Sequence, residues 1–372
     1  MKLKSVLVIG GGIGGLTAAI ALSRQGYPVE IIEKDPDWTV YGVGIIQQFN
    51  VIRVMGSLDL LDAYMAEAYG FDKTEMYTPG GQKIAEFPTP RLAGPEYPSN
   101  AGIRRTDLQR VLATKANELG VKVRLGITVD RLDDDGNGVD VAFSDGTSAR
   151  YDIVVGADGV HSRTRTQILP DAPKPRYTGQ WVWRYNFPQP DDMTGIRIFT
   201  GSKGAGLVPL GKGQMYMFLL SEEPEGFRLA LEGSAAAMRE RMAGNAPQIV
   251  ELANQVTEDQ NVVGRPLETI FLEDAWHRGR VVLIGDAVHA STPHLAQGAG
   301  MAIEDGVVLA EELAKSDNPE SAFEAYRDRR FERTRFIAMN SVRIGESQMG
   351  KIEHVDVPAL NRETIGLMAQ PI

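Results

Sequence analysis

The 372-residue sequence contains no cysteine. Disulfides, thiolate nucleophiles, cysteine-ligated zinc and iron–sulfur clusters are therefore excluded. No apolar run reaches the length that a membrane helix needs. Met1-Lys2-Leu3-Lys4 leads straight into a strand-like stretch, without the apolar core and small-residue cleavage site of a secretory signal. The expectation is a cytoplasmic protein that makes no membrane contact. An excess of positive charge is lacking too: 39 Lys and Arg stand against 49 Asp and Glu, a net charge of −10. That balance argues against nucleic acid as a partner. The basic run Tyr326-Arg327-Asp328-Arg329-Arg330-Phe331-Glu332-Arg333 is interleaved with acids and reads as a solvated helix face. The five histidines include no pair at convincing metal-ligand spacing, so no metal is expected.

What is present is the composition of a globular enzyme, 43% hydrophobic and 24% charged. The length suggests two domains, or one large α/β domain carrying an insert. Ser5 to Ile9, Val29 to Glu33, Ile153 to Val155 and Arg280 to Ile284 are short apolar runs of the kind buried parallel strands show. Ile13 to Gln25, Asp107 to Leu119, Met301 to Ala314 and Glu320 to Ile344 read as helices. Between them lies a β-rich, aromatic stretch with strands at Trp181 to Trp183, Ile196 to Phe199 and Met215 to Leu220. The segment from Pro79 to Asn100, rich in Pro and Gly, reads as loop or cap. The expected fold is α/β: a nucleotide-binding layer from residues 1–75, 100–175 and 268–345, and a second sheet from 76–99 and 176–267. Residues 346–372 are left as a tail.

Gly10-Gly11-Gly12-Ile13-Gly14-Gly15 places G-x-G-x-x-G between a strand and a helix, and the next strand ends in Glu33. That context marks a dinucleotide site. Gly10 permits the tight turn, Gly12 lets the backbone approach a pyrophosphate, and Gly15 lets helix pack on strand. Ile13 and Gly14 open the helix whose N-terminus faces the phosphates. Glu33 is placed to accept hydrogen bonds from the adenosine ribose. The motif alone does not distinguish FAD from NAD.

Two further segments do: Gly156-Ala157-Asp158-Gly159-Val160-His161-Ser162-Arg163, and Gly285-Asp286-Ala287-Val288-His289 followed by Pro293 and Gln297-Gly298-Ala299-Gly300-Met301. With the fingerprint they resemble the three motifs of the single-component (group A) flavoprotein aromatic hydroxylases. The wording Pro293-His294-Leu295-Ala296-Gln297-Gly298 is most similar to the salicylate and 6-hydroxynicotinate hydroxylases. The resemblance runs over roughly residues 4–345. It implies a Rossmann-like FAD-binding domain with an inserted β-rich substrate domain, as in 4-hydroxybenzoate hydroxylase. It implies non-covalent FAD, NADH or NADPH as a transient co-substrate, and O2 activated as a flavin C4a-hydroperoxide. The substrate would be a small aromatic or heteroaromatic compound, and the protein a monomer or homodimer.

The same resemblance assigns roles. Asp286 would bond the ribityl chain, and Gly298, Ala299 and Gly300 would precede a helix, starting near Met301, that aims its N-terminus at the flavin ring. Pro293 lies on that loop. Asp158 and Gly159 would touch FAD and the nicotinamide cofactor; Arg105, with Gln109 one turn on, would contact FAD. Gly44 and Ile45 would pass the flavin, and Val129 would contact adenine through its backbone. Asp286 and Asp158 have a plainer alternative as helix caps. Ile46, followed by Gln47 and Gln48, stands where 6-hydroxynicotinate hydroxylases carry a histidine, which argues against that exact substrate.

For the substrate pocket the candidates are Trp181, Trp183, Arg184 and Tyr185 on one strand, Tyr216 on another, and His294 beside the flavin loop. His294 or Tyr216 could deprotonate or orient a phenol. A structural histidine and core packing are the plainer alternatives. His289 is expected against the FAD. A decarboxylating hydroxylase or an epoxidase fits the same scaffold, and a non-catalytic flavin-binding protein is the alternative of another class.

Overall fold

Val6, Leu7, Val8 and Ile9 are all buried, so this strand has no wet face and needs cover on both sides. In the computed structural model, which describes residues 3–201 and 204–372, it lies inside a six-stranded sheet. Met1 and Lys2, part of the N-terminal segment read as lacking a secretory signal, lie outside the described residues. The strand order is His277–Arg278, Val281–Leu283, Ile153–Gly156, Val6–Ile9, Val29–Glu33, Lys122–Leu125. All pairings are parallel except that of His277–Arg278. The helices Ile13–Arg24 and Gly298–Lys315 pack together, close enough that a Cβ on Gly306 would lie 2.6 Å from the Ala18 nitrogen. Among the described residues no helix is long and apolar enough to cross a membrane.

The second sheet has seven strands, in the order Val263–Thr269, Arg176–Pro188, Gln214–Glu222, Ala205–Gly211, Ile196–Phe199, Lys73–Tyr77, Lys83–Pro88. Its last two strands fall where the sequence reading placed a loop and a domain boundary. Lys73–Tyr77 joins because Ile196–Phe199 pairs with it in parallel, a contact across more than a hundred residues that no local pattern reports. Between the sheets sits a small three-stranded one, Gly44–Gln48, Asn100–Arg104 and Tyr69–Phe71.

The C-terminus is more ordered than expected. Val357–Ala369 is a helix; the Asp356 side chain accepts from the Ala359 nitrogen (2.9 Å) and Pro358 sits in its first turn. This cap-plus-proline signature was legible in the sequence. The helix end is held by Arg333 on the Leu367 and Met368 carbonyls and by Arg53 on that of Ala369. The basic run is also only partly a solvated face. Arg330 is 0% and Arg333 5% exposed, both turned inward onto acids of the Gly298–Lys315 helix.

Candidate active site

The candidate site begins at the glycine turn. Gly10 has φ +106°, and a Cβ there would meet the Ala157 carbonyl oxygen at 2.4 Å; a Cβ on Gly15 would meet the Gly10 carbonyl oxygen at 1.9 Å. Gly12, by contrast, caps the Ile13–Arg24 helix and has no atom within 4 Å of its Cβ position. The backbone there faces open space at a positive helix end, which fits a pyrophosphate. A Cβ on Gly14 would lie 3.2 Å from the Ala302 Cβ, so the two helix N-termini converge on one place.

Glu33 closes the turn, accepting from the Gly11 nitrogen at 2.8 Å and the Asp35 nitrogen at 3.0 Å. Gln109 donates from Nε2 to the Gly11 carbonyl (2.9 Å), leaving its Oε1 buried and unpartnered among the described residues. Trp38, which sequence reasoning missed, donates Nε1 to the same carbonyl at 2.8 Å. Val129 is buried at the start of its strand, two residues past Ile127, whose nitrogen bonds the Glu33 carbonyl. Arg104 turns away onto Asp107 at 2.6 Å, while Arg105 turns into the cleft, near Tyr216 and Asp286. Burial depresses the Arg105 guanidinium against the pull of those neighbours.

The second motif abuts the first: the Asp158 Cα would lie 3.3 Å from a Cβ on Gly10. The Asp158 carboxylate is taken up locally, by the Ser162 Oγ (2.5 Å), Thr164 nitrogen (2.9 Å) and Thr164 Oγ1 (3.0 Å). Its side chain braces the start of the Arg163–Ile168 helix, the plainer of the two readings. Gly159 follows at φ +81°.

In the third motif Asp286 is exposed to the cleft yet surrounded by protein, and burial raises its carboxyl pKa against the pull of His289 and Arg105. The helix beyond begins at Gly298 rather than near Met301, so Gly298, Ala299 and Gly300 form its first turn. Pro293 opens a 3-10 turn, Pro293–Leu295, and Ala296 follows at φ +54°. His289 is not in the cleft. It is 2% exposed, bonded to Asp305 Oδ2 at 2.7 Å and packed against Trp276.

Behind this motif runs a buried polar chain that sequence reasoning did not find. Gln297 bonds Gln48 and Asn50, Asn50 bonds Glu304 Oε1 at 2.8 Å, and Arg330 bonds Glu304 at 2.6 Å and Asp305 at 2.8 Å. Asp305 also accepts from the Gly285 nitrogen at 2.9 Å. Glu304-Asp305 inside the apolar first part of a helix, from Met301 to Ala310, and Arg330 and Arg333 one turn apart, were the available signal.

On the substrate side, strand alternation divides the candidates. Trp181, Trp183 and Tyr185 share a core cluster with Met238, Met242 and Ile249, and Arg241 lies 5.0 Å from the Trp183 ring centroid. The tryptophans are core. Arg184 and Asn186 point the other way, in register with Phe218 and Tyr216. Tyr216 closes over Gly44, where a Cβ would meet its ring at 2.4 Å and Leu210 at 2.3 Å. Ile45 alternates to the opposite face, into the core. Burial raises the Tyr216 phenol against the pull of Arg184 and Arg105, so it is a hydrogen-bond donor at neutral pH. Arg184 is pushed down to about 10 by burial and by Arg105.

His294 has both ring nitrogens engaged, with Thr292 Oγ1 at 2.8 Å and Gln348 Oε1 at 3.1 Å, and burial pushes it down to about 4. It stays neutral at physiological pH and acts as a wedge against Gly345, whose Cβ would lie 2.9 Å from its Cε1. The folded chain thus refuses a proton that the unfolded one takes up below its ordinary 6.5. Stability from this site should fall as pH drops from about 6.5 towards about 4. Melting curves across that range should show His294→Gln with a shallower acid loss than the parent; parallel curves would contradict this.

These residues fit FAD: open backbone at Gly12, a free buried acceptor on Gln109, and an accessible carboxylate and guanidinium facing each other farther along. Comparison with known proteins agrees. The family described as FAD binding domain matches residues 4–341. The chain is 32% identical to 6-hydroxynicotinate 3-monooxygenase of Pseudomonas fluorescens, over 88% of each chain. It is 32% identical to 3-hydroxybenzoate 6-hydroxylase of Polaromonas naphthalenivorans, over 94% of this chain and 88% of that one. The crystal structure of Klebsiella pneumoniae HpxO complexed with FAD and uric acid superposes with a TM-score of 0.84 at 27% identity, covering 98% of this chain and 92% of that one. The chain belongs to the FAD binding domain family, among the single-component flavoprotein aromatic hydroxylases.

Proposed function

We propose that the protein is an FAD-dependent monooxygenase that uses NADH or NADPH and O2 to hydroxylate a small aromatic or heteroaromatic compound. The observation that carries this reading is the close approach of Gly44, on the small sheet, to Tyr216, with Arg184 on the same face of the large sheet. FAD held there would supply hydride acceptance from the nicotinamide and activation of O2, so that one oxygen atom goes to the substrate ring and the other leaves as water.

The chain's own residues would do the rest. Gly12 and its helix end would hold the pyrophosphate, with Glu33 at the ribose and Gln109 and Arg105 alongside. Asp286 would take the ribityl hydroxyls, and the Gly298–Lys315 helix would set its positive end beside the ring system, favouring negative charge there. The apolar cluster of Phe71, Ile196, Val208 and Leu210 around Tyr216 would keep water from the reacting carbon. Tyr216 would donate to the substrate rather than take its proton, and His294, with both nitrogens committed, would hold the loop in place.

The test is turnover under labelled O2 with a panel of aromatic compounds. NAD(P)H oxidation should be slow alone and much faster with the right compound, whose product gains one atom of label. An oxygen that comes from water, or a product that is merely dehydrogenated, would sink the monooxygenase reading.

A further inference from the structure

The helix Val357–Ala369 packs on the segment that leads into the Gly298–Lys315 helix. Its Leu360 and Met368 share an apolar cluster with Phe49, Leu295 and Met301. Its last turn is held by arginines. Arg333 donates to the Leu367 carbonyl at 2.6 Å and the Met368 carbonyl at 3.2 Å, and Arg53 to that of Ala369 at 3.0 Å.

Arg333 also begins a run of hydrogen bonds that has one direction. It holds both oxygens of Glu304, from Nε at 2.8 Å and Nη2 at 2.9 Å. Between Arg330 and Arg333 this carboxylate only accepts, so the Asn50 amide turns its nitrogen towards it, at 2.8 Å. The Asn50 oxygen then faces Gln297. The two amides form a reciprocal pair, Asn50 Nδ2 to Gln297 Oε1 at 3.1 Å and Gln297 Nε2 to Asn50 Oδ1 at 3.2 Å. The second Gln297 hydrogen goes to Gln48 Oε1, which leaves Gln48 Nε2 to donate to the Leu295 carbonyl at 3.3 Å. One carboxylate therefore sets the orientation of three amides. The pair also carries the helix that follows: a Cβ on Gly300 would lie 2.6 Å from Gln297 Oε1 and 3.4 Å from Asn50 Nδ2.

We propose that the helix Val357–Ala369 is a positioning element of the flavin site. It acts through Arg333 and Glu304 on Asn50 and Gln297, which set the first turn of the Gly298–Lys315 helix and the Leu295 carbonyl. This rests on the reading that places FAD at that helix end, and is independent of the reaction. Coupling between separate parts of a protein is carried by contiguous packed and hydrogen-bonded groups of this kind.

The experiment is a double-mutant cycle on FAD affinity in the full chain, Leu360→Ala in the helix against Asn50→Leu in the amide pair. Visible circular dichroism of the bound flavin is the second readout. Ile249→Ala, in the apolar cluster of the seven-stranded sheet, is the control for lost stability alone. Leu360→Ala should weaken FAD binding about 10-fold and Asn50→Leu at least as much, and the double variant no more than Asn50→Leu by itself. Both single variants should alter the circular dichroism of the bound flavin in the same way. Ile249→Ala should lower the melting temperature with FAD affinity and spectrum unchanged. The inference is overturned if Leu360→Ala keeps the parent's FAD affinity and spectrum. It is equally overturned if the two losses multiply in the double variant, which would separate the helix from the amides. Should Leu360→Ala fail to fold, Leu360→Val and Arg53→Gln carry the same comparison with the same expected signs. A negative result here leaves turnover under labelled O2 as it is, so the monooxygenase reading stands or falls separately.

Discussion

Replacing Arg330 by methionine should destabilise the protein by about 3–5 kcal/mol, the loss expected when one partner of a buried ion pair is removed. Arg330 is fully buried and spans Glu304 and Asp305, themselves 0% exposed. Burial alone would raise the Asp305 carboxyl; His289 and Arg330 outweigh it and hold it at about 2. Without Arg330 both acids keep their burial, and Glu304 is left with Arg333 and Asp305 with His289 alone. Because the Asp305 pKa is depressed, its contribution is present above about 4 and disappears as pH falls towards about 2. The measurement is urea unfolding of both proteins at neutral pH, with Arg329→Met as the control. Arg329 pairs with Glu311 and Glu312 near the surface, where such bridges are worth about 0–1 kcal/mol. Equal losses from the two substitutions would show that the buried network is not what supports this part of the fold.

Gly12→Ala and Gly15→Ala should fail in different ways. At Gly15 the added carbon would sit 1.9 Å from the Gly10 carbonyl oxygen, so the helix must move off the strand. Such overpacking costs about 1–3 kcal/mol and occasionally more, and the melting temperature should fall with or without FAD. At Gly12 nothing of the protein lies within 4 Å of the added carbon and φ is an ordinary −77°. The apoprotein should melt as the parent does, while FAD affinity drops about 10- to 100-fold because the methyl group occupies the pyrophosphate's approach. FAD titration of the apoproteins, alongside their melting curves, separates the two. A Gly12→Ala protein that binds FAD normally would remove the pyrophosphate from this turn.

The strand–turn–helix at residues 6–24 was readable because every signal there is local: an apolar run, a glycine spacing, a helical stripe. The same holds for Asp286, which follows the buried strand Val281–Leu283 as read, and for the helix after Gln297, which starts at Gly298, a little before the expected Met301. What escaped depends on partners distant in sequence. Lys73–Tyr77 is a strand because Ile196–Phe199 lies beside it, and Arg330 is interior because Glu304 and Asp305 face it. Alternation along Arg176–Pro188 could say that Trp183 and Arg184 face opposite ways, but not which face meets the cleft; the Tyr216 register decides that. His289 reads as a flavin neighbour by its position after Asp286, yet a one-turn helix, Asp286–His289, rotates it inward onto Asp305.

The strand order of the six-stranded sheet has a consequence for how the chain is made. Within this sheet Val6–Ile9 is made before its neighbour Ile153–Gly156, and Val281–Leu283 and the Gly298–Lys315 helix come later still. At bacterial-type synthesis rates of about 5–20 residues per second, the glycine turn waits on the order of tens of seconds for the helix that faces it. Through that interval the nascent chain carries an apolar strand with one flank unpaired, the kind of edge that favours aggregation. The glycine turn and the helix end that faces it are therefore present together only in a nearly finished polypeptide.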